Sequence, residues 1–194
     1  MVTGQDQPVG ANLARAVAAE GATVTTDVGP GIDALVHAAV EPLALEACRL
    51  ADVDDERWWT VWEGTMRTTL ALLQAVHPHL RGRAGRVVLV TPTLSMAGAP
   101  DLVPWTTALE GQRLLARSAA RQWGADGITV NCVAPSAELL GVDVGELALA
   151  PPALGRAGDP ETDLGPIVAW LCSTKSHFLT GVTLCADGGS WMGL

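Results

Sequence analysis

The chain contains no tyrosine, one lysine (Lys175) and one phenylalanine in 194 residues. No phenol is therefore available as a general acid, and only one ammonium could tune a neighbouring pKa or form a Schiff base. None of the four cysteines, Cys48, Cys132, Cys172 and Cys185, forms a C-x-x-C pair. Each lies in an apolar stretch, so buried free thiols are expected, with no metal or redox role. Apolar runs such as "RVVLV" and "LVHAAV" are far too short to span a bilayer. "MVTGQDQ" has neither a basic region nor a long apolar one, so no signal peptide is expected and a cytoplasmic location is. Positive charge is scarce: the formal net charge is −9, which argues against nucleic acid or an anionic membrane as partner.

What is present suits one domain over 1–194, with 48% hydrophobic residues to build a core. After the strand stub "MVTG", "ANLARAVAAEGA" (11–22) has a helical apolar face. "TVTTDV" (23–28) is β-branched and reads as a strand. "DALVHAAV" (33–40) reads as a fully buried strand. A long Asp-capped helix is expected over 52–80, followed by a strand at 85–91. Helix 104–123, strand 127–135, helix 163–173 and strand 181–189 complete the pattern. His77 and His79 flank Pro78 at a helix end and are expected to be exposed. Strands that alternate with helices and carry continuous apolar runs indicate an α/β fold, a doubly wound parallel sheet covered on both faces.

Five ordered segments carry a more specific signal. They are "VTGQDQPVGANLARAVAAEGATV", "IDALVHAAV", the stretch from "GRVVLVTPTLSMAGAP" through "VPWTTALEGQRLLARSAARQW" to "GITVNCVAPS", then "LGRAGDPETDLGPIVAWLCS" and "FLTGVTLCADGG". Together they resemble the short-chain dehydrogenase/reductase family, close to its 3-oxoacyl thioester reductases. The resemblance implies a Rossmann-like sheet, shortened here to about six strands. Family members are longer by roughly fifty residues. The missing length falls between "TVTTDV" and "GPGIDALVHAAV", where the family carries its adenine pocket.

Carried over position by position, the resemblance fails at each functional residue. The family's helix Asn falls on Thr65, its Ser on Pro92, its Tyr on Trp105 and its Lys on Leu109. An indole N–H does not titrate in water, so Trp105 cannot replace a phenol. In the glycine turn, Gly4 and Gly10 remain but the middle glycine is Pro8, which has no N–H to offer a phosphate. Asp27 lies near the acid that would hold a ribose 2′-OH, and it also suits the start of the "GPG" turn. The expectation is therefore no catalytic residue and no cofactor in this chain, with NAD(P) held by a partner subunit.

That partner is expected to be a full-length paralogue, in a heterodimer or an α2β2 assembly. The family's two-fold contacts run through the helices matching 54–76 and 104–123 and through the C-terminal strand and tail. Trp58, Trp62, Leu70, Trp123, Trp191 and Met192 are the candidate interface residues. Two alternatives stay open. A cofactor-independent lyase, isomerase or cyclase would use His37 with a carboxylate such as Asp101, Glu110 or Glu138. A binding module would present Trp105 to an acyl or aromatic ligand.

Overall fold

A computed structural model describes residues 1–140, 142 and 150–193. Its centre is a parallel sheet of β1 (Ala34–His37), β2 (Arg86–Val90), β3 (Thr129–Pro135) and β4 (Thr183–Ala186), in that order. Every residue of β2 and β3 is buried, as continuous apolar runs require when helices cover both faces. Alternate residues then go to opposite layers. Val36, Val88, Val90 and Val133 pack under α1 (Pro8–Ala19) and α6 (Gly165–Cys172). Leu35, Val87, Leu89, Val130 and Cys132 pack under α3 (Gly64–Leu80) and α5 (Val103–Trp123). A third apolar cluster caps the C-terminal ends of the strands, around Trp105 and Leu109.

Among the described residues the sheet has four strands where about six were expected. The stub at Val2 makes a single parallel bridge to Val36. Residues 23–28 take no strand, and their tie to the sheet is the Val2 N–H donating to the Thr25 carbonyl at 3.0 Å. β-Branched residues at an edge cannot form a ladder when the neighbouring strand offers almost no length to pair with.

The long helix also differs from expectation. It begins with the short α2 (Asp55–Trp58), capped by Asp54, whose side chain accepts the Arg57 N–H at 2.7 Å. Asp52 instead ends a separate 3₁₀ turn, Leu50–Asp52. A wide π turn, Trp59–Glu63, then leads into α3. His77 and His79 are half-buried, not exposed. The His77 ring lies 4.7 Å from the Trp123 ring, and its Nε2 is 3.0 Å from the Asp126 carboxylate. Of the cysteines, Cys132 is buried and Cys48 and Cys172 are half-buried, whereas Cys185 is exposed because β4 is the sheet's edge strand. No described helix is long and apolar enough to cross a membrane.

Helices α1 and α6 approach closely because of Gly165. A Cβ built there would lie 2.1 Å from the Ala16 methyl. Gly165→Ala is expected to cost about 1–3 kcal/mol by overpacking. Combining it with Ala16→Gly, which moves the methyl to the other helix, should restore part of that loss. Urea midpoints of the two variants check both expectations.

Candidate functional site

Doubly wound sheets bind ligands beyond the C-terminal ends of their strands. Here that region is built by the turn before α1, the residues after β1, β2 and β3, and the start of α5. The glycine turn keeps its shape. Gly4 has φ +73°, and a Cβ on Gly10 would lie 2.1 Å from the Gly4 carbonyl oxygen. These two glycines let α1 begin directly against the turn. Pro8 occupies the first helical position, where its missing N–H costs the helix nothing.

Gln7 does something the sequence did not signal. Its side-chain amide donates to the Val40 carbonyl at 2.6 Å, and its amide oxygen accepts the Val40 N–H at 2.9 Å. The turn is thereby tied across to the segment that follows β1. Asp27 is exposed, and its backbone N–H donates to the Thr25 hydroxyl at 3.1 Å, a local turn contact.

Three of the four positions matched to the family's catalytic residues are buried. Trp105 is 1% exposed and Leu109 is 4% exposed. Both pack in one cluster with Val61, Leu94, Leu102 and Ala137. Pro92 is buried, and its carbonyl accepts the Ser95 hydroxyl at 2.9 Å. Thr65 is half-buried, and its carbonyl accepts the Thr69 hydroxyl at 2.9 Å. Trp105 is core, so it offers no platform to a ligand.

His37, Asp101 and Glu138 are not brought together as a catalytic set. His37 is buried at the end of β1, and its side-chain partners among the described residues are hydroxyls. Nδ1 is 2.8 Å from the Thr3 hydroxyl and Nε2 is 3.2 Å from the Thr69 hydroxyl. Thr69 spends its own proton on the Thr65 carbonyl and accepts Gln112 Nε2 at 2.5 Å. It can therefore only accept from His37, which puts the ring proton on Nε2 and leaves Nδ1 to accept from Thr3. Burial lowers the His37 pKa to about 4. The ring is a neutral, satisfied core group with no free basic nitrogen. Asp101 is half-buried in the turn before α5, and its carbonyl accepts the Cys48 N–H at 2.8 Å. Glu138 is exposed beside Pro151, Pro152 and Arg156, in a depression of about 300 Å³. Residues 141 and 143–149, which follow it, lie outside the described residues.

A second buried polar group escaped the sequence reading. Arg113 is 2% exposed, and its guanidinium donates to the Thr91 hydroxyl at 3.1 Å, to the Ser95 hydroxyl and to the Glu110 carboxylate. It ties α5 to the segment after β2. The available signal was periodicity: Arg113 falls four residues after Leu109 and three before Ala116, on the buried face of α5.

The candidate interface residues fall in three places. Trp58 and Trp62 are half-buried and stacked, with centroids 6.3 Å apart, and Leu70 is exposed on α3. Trp123 lies at the far end of α5 against His77. Trp191 and Met192 line a groove of about 540 Å³ beside the end of β4, together with Leu154, Ile167 and Cys185. Asp187 holds this tail by accepting the N–H groups of Gly189 and Trp191.

Comparison with known proteins matches this arrangement to a family. The profile described as enoyl-(acyl carrier protein) reductase matches residues 24–190, most of the sheet and its covering helices. The chain belongs to the short-chain dehydrogenase/reductase family. It is 30% identical over 150 residues to the 3-oxoacyl-(acyl-carrier-protein) reductase FabG of Staphylococcus epidermidis, covering 74% of this chain and 61% of that protein. It is 29% identical over 172 residues to dehydrogenase/reductase SDR family member 4 of Bos taurus, covering 82% and 60%. The chain thus spans about three fifths of the length of these curated relatives. The TT0495 protein of Thermus thermophilus superposes with a TM-score of 0.80 at 25% identity, over 97% of this chain and 96% of that one. A dehydrogenase/reductase of Sinorhizobium meliloti shares the fold, with a TM-score of 0.82 at 23% identity over 97% and 93%.

The histidine gives a pH test with a definite sign. Unfolded His37 takes up a proton near pH 6.5, whereas folded His37 resists it to about pH 4. Its contribution to stability is complete above pH 6.5 and is lost as the pH falls toward 4, by about 3 kcal/mol in total. Urea midpoints across this range should fall, and His37→Gln should flatten that part of the profile.

Proposed function

We propose that this short-chain dehydrogenase/reductase chain is a non-catalytic subunit that assembles with a catalytically intact paralogue, as a heterodimer or α2β2 complex. The partner binds NAD(P) and interconverts 3-oxoacyl and 3-hydroxyacyl thioesters. The observation that carries this reading is the burial of Trp105 and Leu109 in one apolar cluster, beside buried Pro92. Reducing a ketone requires a proton donor and a charge to tune it, and neither side chain can supply one. A general acid contributes roughly 10²- to 10⁴-fold to such a step.

The residues of the glycine turn do not fit a dinucleotide. Pro8 removes a phosphate-binding N–H, and the Gln7 side chain ties the turn to Val40 where a phosphate would approach. No step is therefore assigned to a cofactor in this chain.

The outer faces of α3 and α5 support assembly. Leu70 and Leu114 are 44% and 62% exposed there. Leu114 lies one turn after Glu110 and one turn before Arg117. Packing of this face on a related helix would bury Leu114 centrally, with Arg117 at its rim.

Co-expression with an intact family member should yield a stable complex, and Leu114→Glu should weaken it about tenfold or more. NADH and NADPH should bind the complex but give no saturable binding to this chain alone. A monodisperse homo-oligomer that ignores such partners, or saturable binding of either nucleotide to the isolated chain, would overturn the reading.

A further inference from the structure

Three tryptophans crowd the π turn at the start of α3. Trp58 and Trp62 stack with their planes 7° apart, and Trp59 meets Trp62 edge-on with centroids 6.5 Å apart. Trp59 is 54% exposed although it is large and aromatic. An indole left in water beside two others is unusual on a surface that has no use for it.

The surroundings are acidic. Between Glu41 and Glu63 there are seven acids and two arginines, a net of −5 out of −9 for the whole chain. Both arginines are already engaged, Arg49 with Asp52 at 2.7 Å and Arg57 with Glu46 at 3.8 Å. Arg67, one turn into α3, is paired with Glu63. Glu41, Asp55 and Glu56 are exposed and have no ion pair among the described residues. Asp55 and Glu56 lie four and three residues before Trp59, on the same side of the helix.

Indole faces bordered by unpaired carboxylates favour a planar, weakly hydrated cation over a compact ammonium. We propose that this patch docks an arginine-bearing segment of a partner protein, with a guanidinium stacked on Trp59 and paired with Asp55 or Glu56. The same carboxylates repel nucleic acid and anionic lipid. The patch lies in α2 and the π turn that lead into α3, within the stretch 54–76 expected to meet a paralogue, but peptide binding to it needs no paralogue.

Oligo-arginine and oligo-lysine peptides of equal length, titrated by calorimetry at low salt, test it. Oligo-arginine should bind saturably and about threefold or more tighter than oligo-lysine. Trp59→Ser, at an exposed position, should lower oligo-arginine affinity about two- to fivefold and leave oligo-lysine nearly unchanged. The Asp55→Asn/Glu56→Gln double variant should weaken both peptides, whereas Glu20→Gln/Glu138→Gln should weaken neither. Equal affinity for the two peptides with no effect of Trp59→Ser would reduce the binding to long-range attraction and overturn the proposal. So would a loss of self-association in Trp59→Ser with unchanged peptide binding, since that makes the patch a contact between copies. Neither result depends on a paralogue, so the assembly reading survives or fails separately.

Discussion

The region above the sheet is organised by the exclusion of water from Trp105. A buried indole of that size brings much of the apolar area in the upper cluster, and the elements that cover it come from widely separated parts of the chain. Ala44 follows β1, Val61 is in the π turn, Leu94 opens the short helix α4 (Leu94–Ala97), Leu102 precedes α5, and Ala137 follows β3. An ionisable group in this place would be dehydrated without a partner, at a cost of several kcal/mol. Apolar side chains at 92, 105 and 109 therefore belong together: once the charge at 109 is absent, an aromatic core at 105 is the arrangement that closes the space.

Buried polarity around this cluster is satisfied internally. Thr3, His37, Thr69 and Gln112 form one chain of hydrogen bonds linking the first turn, β1, α3 and α5. Arg113 forms a second link, from α5 to the segment after β2. Gln7 forms a third, from the glycine turn to Val40. Each joins elements distant in sequence near the C-terminal ends of the strands, where related folds hold ligands. Satisfied networks of this kind rigidify a core and leave no donor or acceptor free for a visitor.

Much of the fold was legible because its signals are local. Continuous apolar runs marked β2 and β3, and the period of α5 marked its buried face. The family followed from five ordered segments, and the absence of a phenol needed only a count. What stayed hidden depends on contacts far apart in the chain. Nothing local in the sequence marked the partners of Gln7 or Arg113, and His37 read as a candidate base, until residues far along the chain were in place. "TVTTDV" had the composition of a strand, but composition does not report whether a neighbour exists to pair with. Cys185 read as buried because nothing in its own segment says that β4 is an edge.

The π turn at Trp59–Glu63 also sets the phase of everything after it. One added residue in a helix rotates the following side chains by about 100° relative to those before it. Trp59, where the turn begins, and Leu70, beyond it, share their present relation only because that extra residue is there. Insertions or deletions at this point act as rotations: they would turn the tryptophans away from the rest of the helix face and carry Val61 out of the upper cluster, while leaving composition and helix content almost unchanged.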